Sequence, residues 1–395
     1  MKVLQINSFF TVGGPPRIVN GIYDTLIEEG HECKVAAARE KMYKAEDSIQ
    51  IGKKRDVYFN ALSCRLFDNE GFYPKSATQK LIKQIKEYDP DVIHLHNLHG
   101  YYINVEVLFD YLKQSGKKIY WTLHDCWAFT GHCTHFSAVN CEQWKTHCLR
   151  CTQIREYPSC YFKGNVSKNF DRKKRCFTGV PDLTIITPSN WLADLVKQSF
   201  LGEYSIKVIY NKIDTNVFKP TASNFRKKFH LEGQKVILGV AQNWSNRKGL
   251  HDFIKLAGML DKTYTIVLVG ITQKQIEKLP KQIIGLQKVN NTNELAKVYS
   301  AADLFVNCTY EDNFPTVNLE ALACGTPVVT YQTGGSPESL DETCGRVVKQ
   351  GDILQMLKEI KTITGMGKDE KACVKRAKFF DRQLKRLEFL QLYER

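Results

Sequence analysis

Short apolar, β-branched runs alternate with amphipathic stretches along the 395-residue chain. The first run is KVLQIN, at 2–7. A glycine loop, TVGGPP, follows, and then a segment ending at Gly30 in which Ile18, Ile22, Leu26 and Ile27 recur at helical spacing. CKVAAA, DVIHLH, KIYWTLH and DLTIIT repeat the strand-like pattern, with helical periods between them. The alternation restarts after about residue 210: VILGVA, a helix over KGLHDFIKLAGML, then YTIVLVG, DLFVNC and TPVVTY. Strand alternating with helix predicts parallel sheets covered on both faces. The fold expected is therefore α/β with two Rossmann-like domains, the junction lying in Ile206–Pro220. The domains are set at 1–205 and 206–375, with a basic C-terminal helix at 376–395 packing back on the first. Phe379, Phe380, Leu384, Leu387 and Leu390 are its expected apolar stripe. A chain of this length exceeds the roughly 250–300 residues that one core supports.

One segment breaks the pattern. From Cys126 to Cys176 no strand or helix period stands out, and Cys, His, aromatic and basic residues take its place. A stretch this long without elements reads as an insertion or lid that is functional or stapled.

Composition narrows the class. With 43% apolar and 25% charged residues, a disordered or fibrous chain is excluded. No apolar run nears the ~20 residues of a membrane-spanning helix. Polar residues interrupt MKVLQINSFF, so it reads as a buried strand and not as a signal peptide, and a cytoplasmic protein is expected. The net charge of +14, from 56 basic and 42 acidic residues, points to a polyanionic partner: nucleic acid, an acidic membrane surface or phosphorylated small molecules. Seven of the 13 cysteines lie between Cys126 and Cys176, a local cluster rather than a disulfide framework.

Two motifs carry chemistry. Gly13-Gly14 sits between the first strand and the first helix, where backbone N–H groups face an anion and glycine permits close approach. It is not GxGxxG, which argues against a dinucleotide dehydrogenase. In YEDNFPTVNLEALACGTPVV, Tyr310–Val329, Asp312 and Glu320 stand eight residues apart. A helix starting near Pro315-Thr316 would offer free N–H groups to a diphosphate.

That segment closely resembles glycosyltransferase family 4, retaining enzymes of the GT-B architecture, in which two Rossmann-like domains face a central cleft. The resemblance runs through nearly the whole chain: GGPPR, TLHDCW, TPSNW, YNKID, NRKGL, the acidic pair and TGGSPE, in that order. It implies a nucleotide-sugar donor, with UDP- and GDP-sugars as the candidates, and a glycan or lipid-diphosphate-linked acceptor in cell-surface polysaccharide assembly. It also implies roles. Lys248, beside Arg247, would pair with the donor diphosphate. Amides near Pro315, Thr316 and Val317 would hold the same phosphates. Asp312 would bind sugar hydroxyls and Glu320 the ribose. Gly13 and Gly14 would approach the diphosphate from the other domain. His124 would contact the transferred sugar, and Glu338 belongs to another motif of the donor side. Three positions depart from the pattern. Asp312, next to Glu311, replaces a glutamate; Gln242 replaces an arginine; Lys212 replaces a glycine. No DxD-type acidic cluster stands out, so catalysis without a metal cofactor is expected, by front-face transfer through a short-lived ion pair. The leaving diphosphate would be stabilised by positive charge and helix amides.

Within the cysteine-rich segment, Cys148-x2-Cys151 is a ligand-type pair. Cys133 and Cys141 could complete a tetrahedral structural zinc site, with His132, His135 and His147 as alternative ligands. Reduced buried thiols and disulfides are the competing readings. A catalytic thiol at Cys126 beside His124 lacks an orienting third group. Lys168–Arg175, KNFDRKKR, with aromatic neighbours, is expected to give weak association with an acidic membrane surface. A sugar-nucleotide epimerase of the same architecture and a zinc-stapled nucleic-acid-binding protein are the alternative functions. Basic residues scattered over both halves, without a recognition helix, argue against a nucleic-acid partner.

Overall fold

The structure is a computed structural model that describes every residue except 11–13, 40–44, 290 and 395. It divides into two units, one of Met1–Tyr210 with Arg386–Arg395 and one of Asn211–Lys385. The chain passes between them at Tyr210–Asn211, inside the Ile206–Pro220 stretch.

The first unit is built on a parallel seven-stranded sheet. Its strands are β1 (Lys2–Phe9), β2 (Glu32–Arg39), β3 (Ser48–Gln50), β4 (Val92–Leu95), β5 (Lys118–Thr122), β6 (Leu183–Thr187) and β7 (Ser205–Val208). Their order is β3-β2-β1-β4-β5-β6-β7. Val3, Leu4, Ile6, Ile93, Leu95 and Ile185 are fully buried, because helices cover both faces. The short outer strands β3 and β7 escape the apolar pattern. In β7 the side chains are exposed or half-buried, as at a sheet edge.

The second unit carries a parallel six-stranded sheet of β8 (Lys235–Val240), β9 (Tyr264–Val269), β10 (Ile283–Leu286), β11 (Leu304–Asn307), β12 (Val328–Tyr331) and β13 (Gly345–Val348). Its order is β10-β9-β8-β11-β12-β13. Each order reverses once, between β1 and β4 and between β8 and β11. At such a switch point the loops leave in opposite directions and open a crevice at the carboxyl ends of the strands.

Two expectations change. The segment after Cys126 is not without elements: Val166–Phe177 is a helix, with short turns before it. Its buried face is Val166, Asn169, Phe170, Lys173, Cys176 and Phe177, and the polar members Asn169 and Lys173 break the apolar period. The C-terminal stretch is not one striped helix either. Helices Glu370–Lys378 and Glu388–Tyr393 are separated by turns, and Phe379 and Leu384 are exposed. Phe389, Leu390 and Tyr393 join the core of the first unit beside Val3, Ile22, Val92 and Ile186.

Candidate active site

At the switch point of the second unit, the turn after β8 presents Arg247 and Lys248. Gly249 follows with φ +73, and a Cβ there would stand 2.2 Å from the Cys308 carbonyl oxygen. Only glycine lets this turn lie on the end of β11. Lys248 Nζ is 2.7 Å from Asp312 Oδ2, with both side chains largely covered. Arg247 donates to the Glu311 carbonyl at 3.0 Å. Of the two adjacent acids, Asp312 is the one that meets Lys248; the Glu311 side chain is buried. Gly334 approaches from TGGSPE at φ +54, where a Cβ would stand 1.7 Å from the Asp312 carbonyl oxygen.

Helix Thr316–Ala323 begins beside this pair. Its first amides have no acceptor within the helix and carry partial positive charge. Pro315 caps the helix and has no N–H, so the free amides at this end are those of Thr316 and Val317. Buried Asn318 fixes the helix start. Its Nδ2 donates to Ser336 and Ser339 Oγ, both at 3.0 Å, and its Oδ1 accepts from Asn307 at 2.9 Å. Strand β11, the helix and the Ser336–Ser339 turn with Glu338 are thus tied together by one amide. Glu320 is buried and accepts from the Tyr299 hydroxyl at 2.9 Å. Asn318 and Tyr299 escape sequence reading, since an Asn inside a helix and a Tyr elsewhere carry no motif.

The first unit has its own cluster at the β1/β4 switch point. Gly13 lies outside the described residues; Gly14 opens helix Gly14–Glu28. His124 follows β5, and its Nε2 is 3.2 Å from His96 Nδ1. Burial pulls the His124 pKa down to about 4, so the ring is neutral at pH 7 and acts as a hydrogen-bonding group. Next to it, His99 Nε2 donates to Asp125 Oδ2 at 2.6 Å, and His99 Nδ1 is 3.1 Å from the Tyr157 hydroxyl. Burial alone would lower the His99 pKa, but the Asp125 carboxylate outweighs it and raises the pKa. Burial would raise the Asp125 pKa, but His99 outweighs it and holds the carboxyl at about 2. Buried Glu70 accepts from the amides of Gly100 at 2.7 Å and Tyr101 at 3.0 Å, fixing Tyr101 at φ +67. His99, Tyr101 and Tyr157 line a cavity of about 290 Å³ together with Ser8, Phe9 and Asn97 and with Pro15, Pro16 and Gly100. Aromatic and apolar walls with a few converging polar groups are the build of a small-molecule site.

Sequence comparison matches both units to known families. Residues 12–217 match the family described as Glycosyltransferase Family 4, and residues 221–379 match Glycosyl transferases group 1. The chain belongs to glycosyltransferase family 4. Over 386 residues, 90% of this chain and 89% of the relative, it is 22% identical to the putative colanic acid biosynthesis glycosyl transferase WcaC of Escherichia coli. Over 166 residues, 38% of this chain and 48% of the relative, it is 33% identical to the processive diacylglycerol alpha-glucosyltransferase of Acholeplasma laidlawii. Solved structures share the fold along the full chain. Sucrose-phosphate synthase from Thermosynechococcus elongatus aligns with a TM-score of 0.72 at 16% identity, over 100% of this chain and 98% of that one. Anabaena Alr3699/HepE in complex with UDP aligns at 0.70 and 16% identity, over 100% of both chains. The two sheets are those of the GT-B class, and the chain is a nucleotide-sugar-dependent family 4 glycosyltransferase.

In this family member the cysteine-rich segment is held by polar groups as much as by apolar ones. Asp68 Oδ1 accepts from His132 Nδ1 at 2.5 Å, and its Oδ2 accepts from the Asn165 amide at 2.9 Å. Lys173 is buried, donates to the carbonyls of Trp127 at 2.8 Å and Thr130 at 3.1 Å, and lies 3.6 Å from the Trp127 ring centroid. Arg172 and Arg175 both reach Glu106. Within the run 168–175, Arg172 and Lys173 are thus taken up by protein partners, whereas Lys168, Lys174 and Arg175 remain exposed. Cys133, Cys141, Cys148 and Cys151 line one small cavity together with His132. All thirteen cysteines are free thiols. Among the described residues, no group of three or more His, Cys, Asp or Glu stands ready to hold a metal ion. His147 is engaged by Asp171 at 3.0 Å. Among the described residues, no helix is long and apolar enough to cross a membrane.

Proposed function

We propose that this family 4 enzyme moves a hexosyl residue from a UDP-sugar to a lipid-linked glycan acceptor, with retention of configuration, in cell-surface polysaccharide assembly on the cytoplasmic face of the membrane. The observation that carries the reading is the Lys248–Asp312 pair at the start of helix Thr316–Ala323. A diphosphate arriving at that helix competes with Asp312 for the Lys248 ammonium. The carboxylate released is then placed to accept from donor-sugar hydroxyls. As the bond from the sugar to the diphosphate breaks, negative charge grows on the leaving phosphate, and Lys248, Arg247 and the amides of Thr316 and Val317 oppose it. Glu320 would hold the ribose, Gly13 and Gly14 the diphosphate, Glu338 the donor side, and neutral His124 a hydroxyl of the transferred sugar. HepE, solved with UDP and with UDP-glucose, favours the uridine donor. The names of the colanic acid and diacylglycerol enzymes favour a polysaccharide pathway and a lipid-borne acceptor. The test is a thermal shift with UDP against GDP, followed by transfer of labelled sugar from UDP-hexoses. Lys248→Ala is expected to slow transfer about a hundredfold, and Glu320→Ala to weaken UDP binding. Near-normal activity in both variants overturns the site.

The cysteine-rich segment would be closed by one structural zinc ion on Cys133, Cys141, Cys148 and Cys151, with the half-exposed Cys141 and Cys151 turning inward. Support comes from the cavity these thiols share and from the buried His132 Nε2 beside them, which makes no hydrogen bond while Asp68 holds the opposite nitrogen. About one zinc per chain is expected by elemental analysis of protein purified without chelator. Content far below one, with the four thiols found alkylatable or disulfide-bonded by mass spectrometry, removes the ion.

A further inference from the structure

Helix Lys54–Phe67 faces solvent with the wrong kind of side chain. Its inner positions, Val57, Ala61 and Cys64, are buried. Its outer positions are aromatic and aliphatic: Tyr58 is 77% exposed, Phe59 70%, Leu62 50% and Phe67 60%. Tyr58, Phe59 and Leu62 fall on one stripe, where a soluble surface helix places charges. The patch continues onto the cysteine-rich segment. The Tyr161 amide donates to the Arg65 carbonyl at 2.8 Å. That contact brings Tyr161 and Phe162, 50% and 65% exposed, beside the last turn of the helix. An exposed apolar surface of this extent marks an interaction site.

Its charge identifies the partner. Lys53, Lys54, Arg55, Arg65 and Lys163 are exposed around the patch. The acid within the helix, Asp56, accepts from the Lys53 amide at 2.8 Å and lies 3.8 Å from Arg55. Aromatic and aliphatic side chains at the centre with a rim of one positive sign are the build of a helix lying in the interface of an anionic bilayer. The rigid mount is also present. Asp68, the residue that ends the helix, is locked by His132 and Asn165. Asn60 Nδ2 donates to the Tyr101 carbonyl at 3.0 Å, so the helix abuts a wall of the 290 Å³ cavity.

We propose that this helix face is a membrane-docking surface for acidic lipid, and that it brings the cavity at Tyr101 and Tyr157 to a lipid-borne acceptor. The second half of the statement rests on the transferase reading; the docking itself does not. The test is flotation of the full chain with vesicles of phosphatidylcholine alone and of equimolar phosphatidylcholine and phosphatidylglycerol. Binding is expected to the acidic vesicles only and to fall as salt is raised. Tyr58→Ser, Phe59→Ser and Leu62→Ser combined are expected to weaken it at least about tenfold. Lys168→Ser with Lys174→Ser, in the basic run, is expected to leave it intact. Circular dichroism and the UDP thermal shift establish that the triple variant is folded. Equal binding by the folded triple variant, or no binding by the parent chain, overturns the docking surface. So does a concentration-dependent dimer in sedimentation that the triple substitution abolishes, since the face would then belong to a second copy. Absence of a UDP shift in the parent chain sinks the UDP-donor reading and leaves the vesicle result standing.

Discussion

Asp125 and His99 are two buried groups that each reverse what burial does to the other. The sign of their contribution to stability follows. His99, raised above its unfolded value near 6.5, contributes fully below that value and loses its share as pH climbs through its folded pKa. Asp125, held at about 2, contributes fully above roughly 4 and loses its share as pH falls through the folded value. The pair is therefore worth most between about pH 4 and 6.5. Asp125→Asn strands the His99 ring and is expected to cost about 3 kcal/mol in that window. Melting temperatures of both proteins across pH check it: their difference should shrink on either side, and a constant difference refutes the coupling. At this scale the motif residues were legible from their types and order. Lys248, Asp312 and His124 announce themselves in NRKGL, YEDNF and TLHD. What they touch was not. The meeting of Lys248 with Asp312, and of His124 with His96, joins loops far apart in the chain, and no local pattern encodes it.

Elements were legible wherever burial was uniform. Strands β1, β4, β5, β8 and β9 are covered on both faces and read as continuous apolar runs. Edge strands such as β7 and the three-residue β3 are not, because one flank lacks a neighbour. Helix Val166–Phe177 shows a different failure. Its buried face includes Lys173, whose pKa burial pulls down to about 7 and whose ammonium is received by two backbone carbonyls and a Trp127 ring. The hydrogen bonds offset part of the cost of burying this charge, and the lysine still looks like a solvent position in any hydropathy period. Helix Lys54–Phe67 has apolar side chains on both faces, and its aromatic stripe faces outward. Amphipathicity establishes that a helix has two faces; packing decides which one is inside.

On the scale of the molecule, the last ten residues belong with the first 210. Tyr393 O–H meets His94 Nδ1 at 2.5 Å, under the central strand β4, and Tyr120 donates to the Leu392 carbonyl at 2.6 Å. Arg386 pairs with Glu28 and Glu29 at the end of the first helix. A chain ending at Lys385 is expected to lose about 3 kcal/mol or more, since buried Phe389, Leu390 and Tyr393 leave a void in that core. Urea unfolding checks this, and an unchanged midpoint refutes it. By itself, the sequence determined the two α/β units, the family and the order of its motifs. These depend on periodicity and on residue types at short spacing. Tertiary structure alone decided which acid meets Lys248, that Asn318 ties β11, helix Thr316–Ala323 and the Ser336–Ser339 turn together, that Lys173 of the basic run is buried, and that an aromatic helix face turns out. Each of these depends on which distant segments exclude water from one another, and contacts of that range leave no mark on the local pattern.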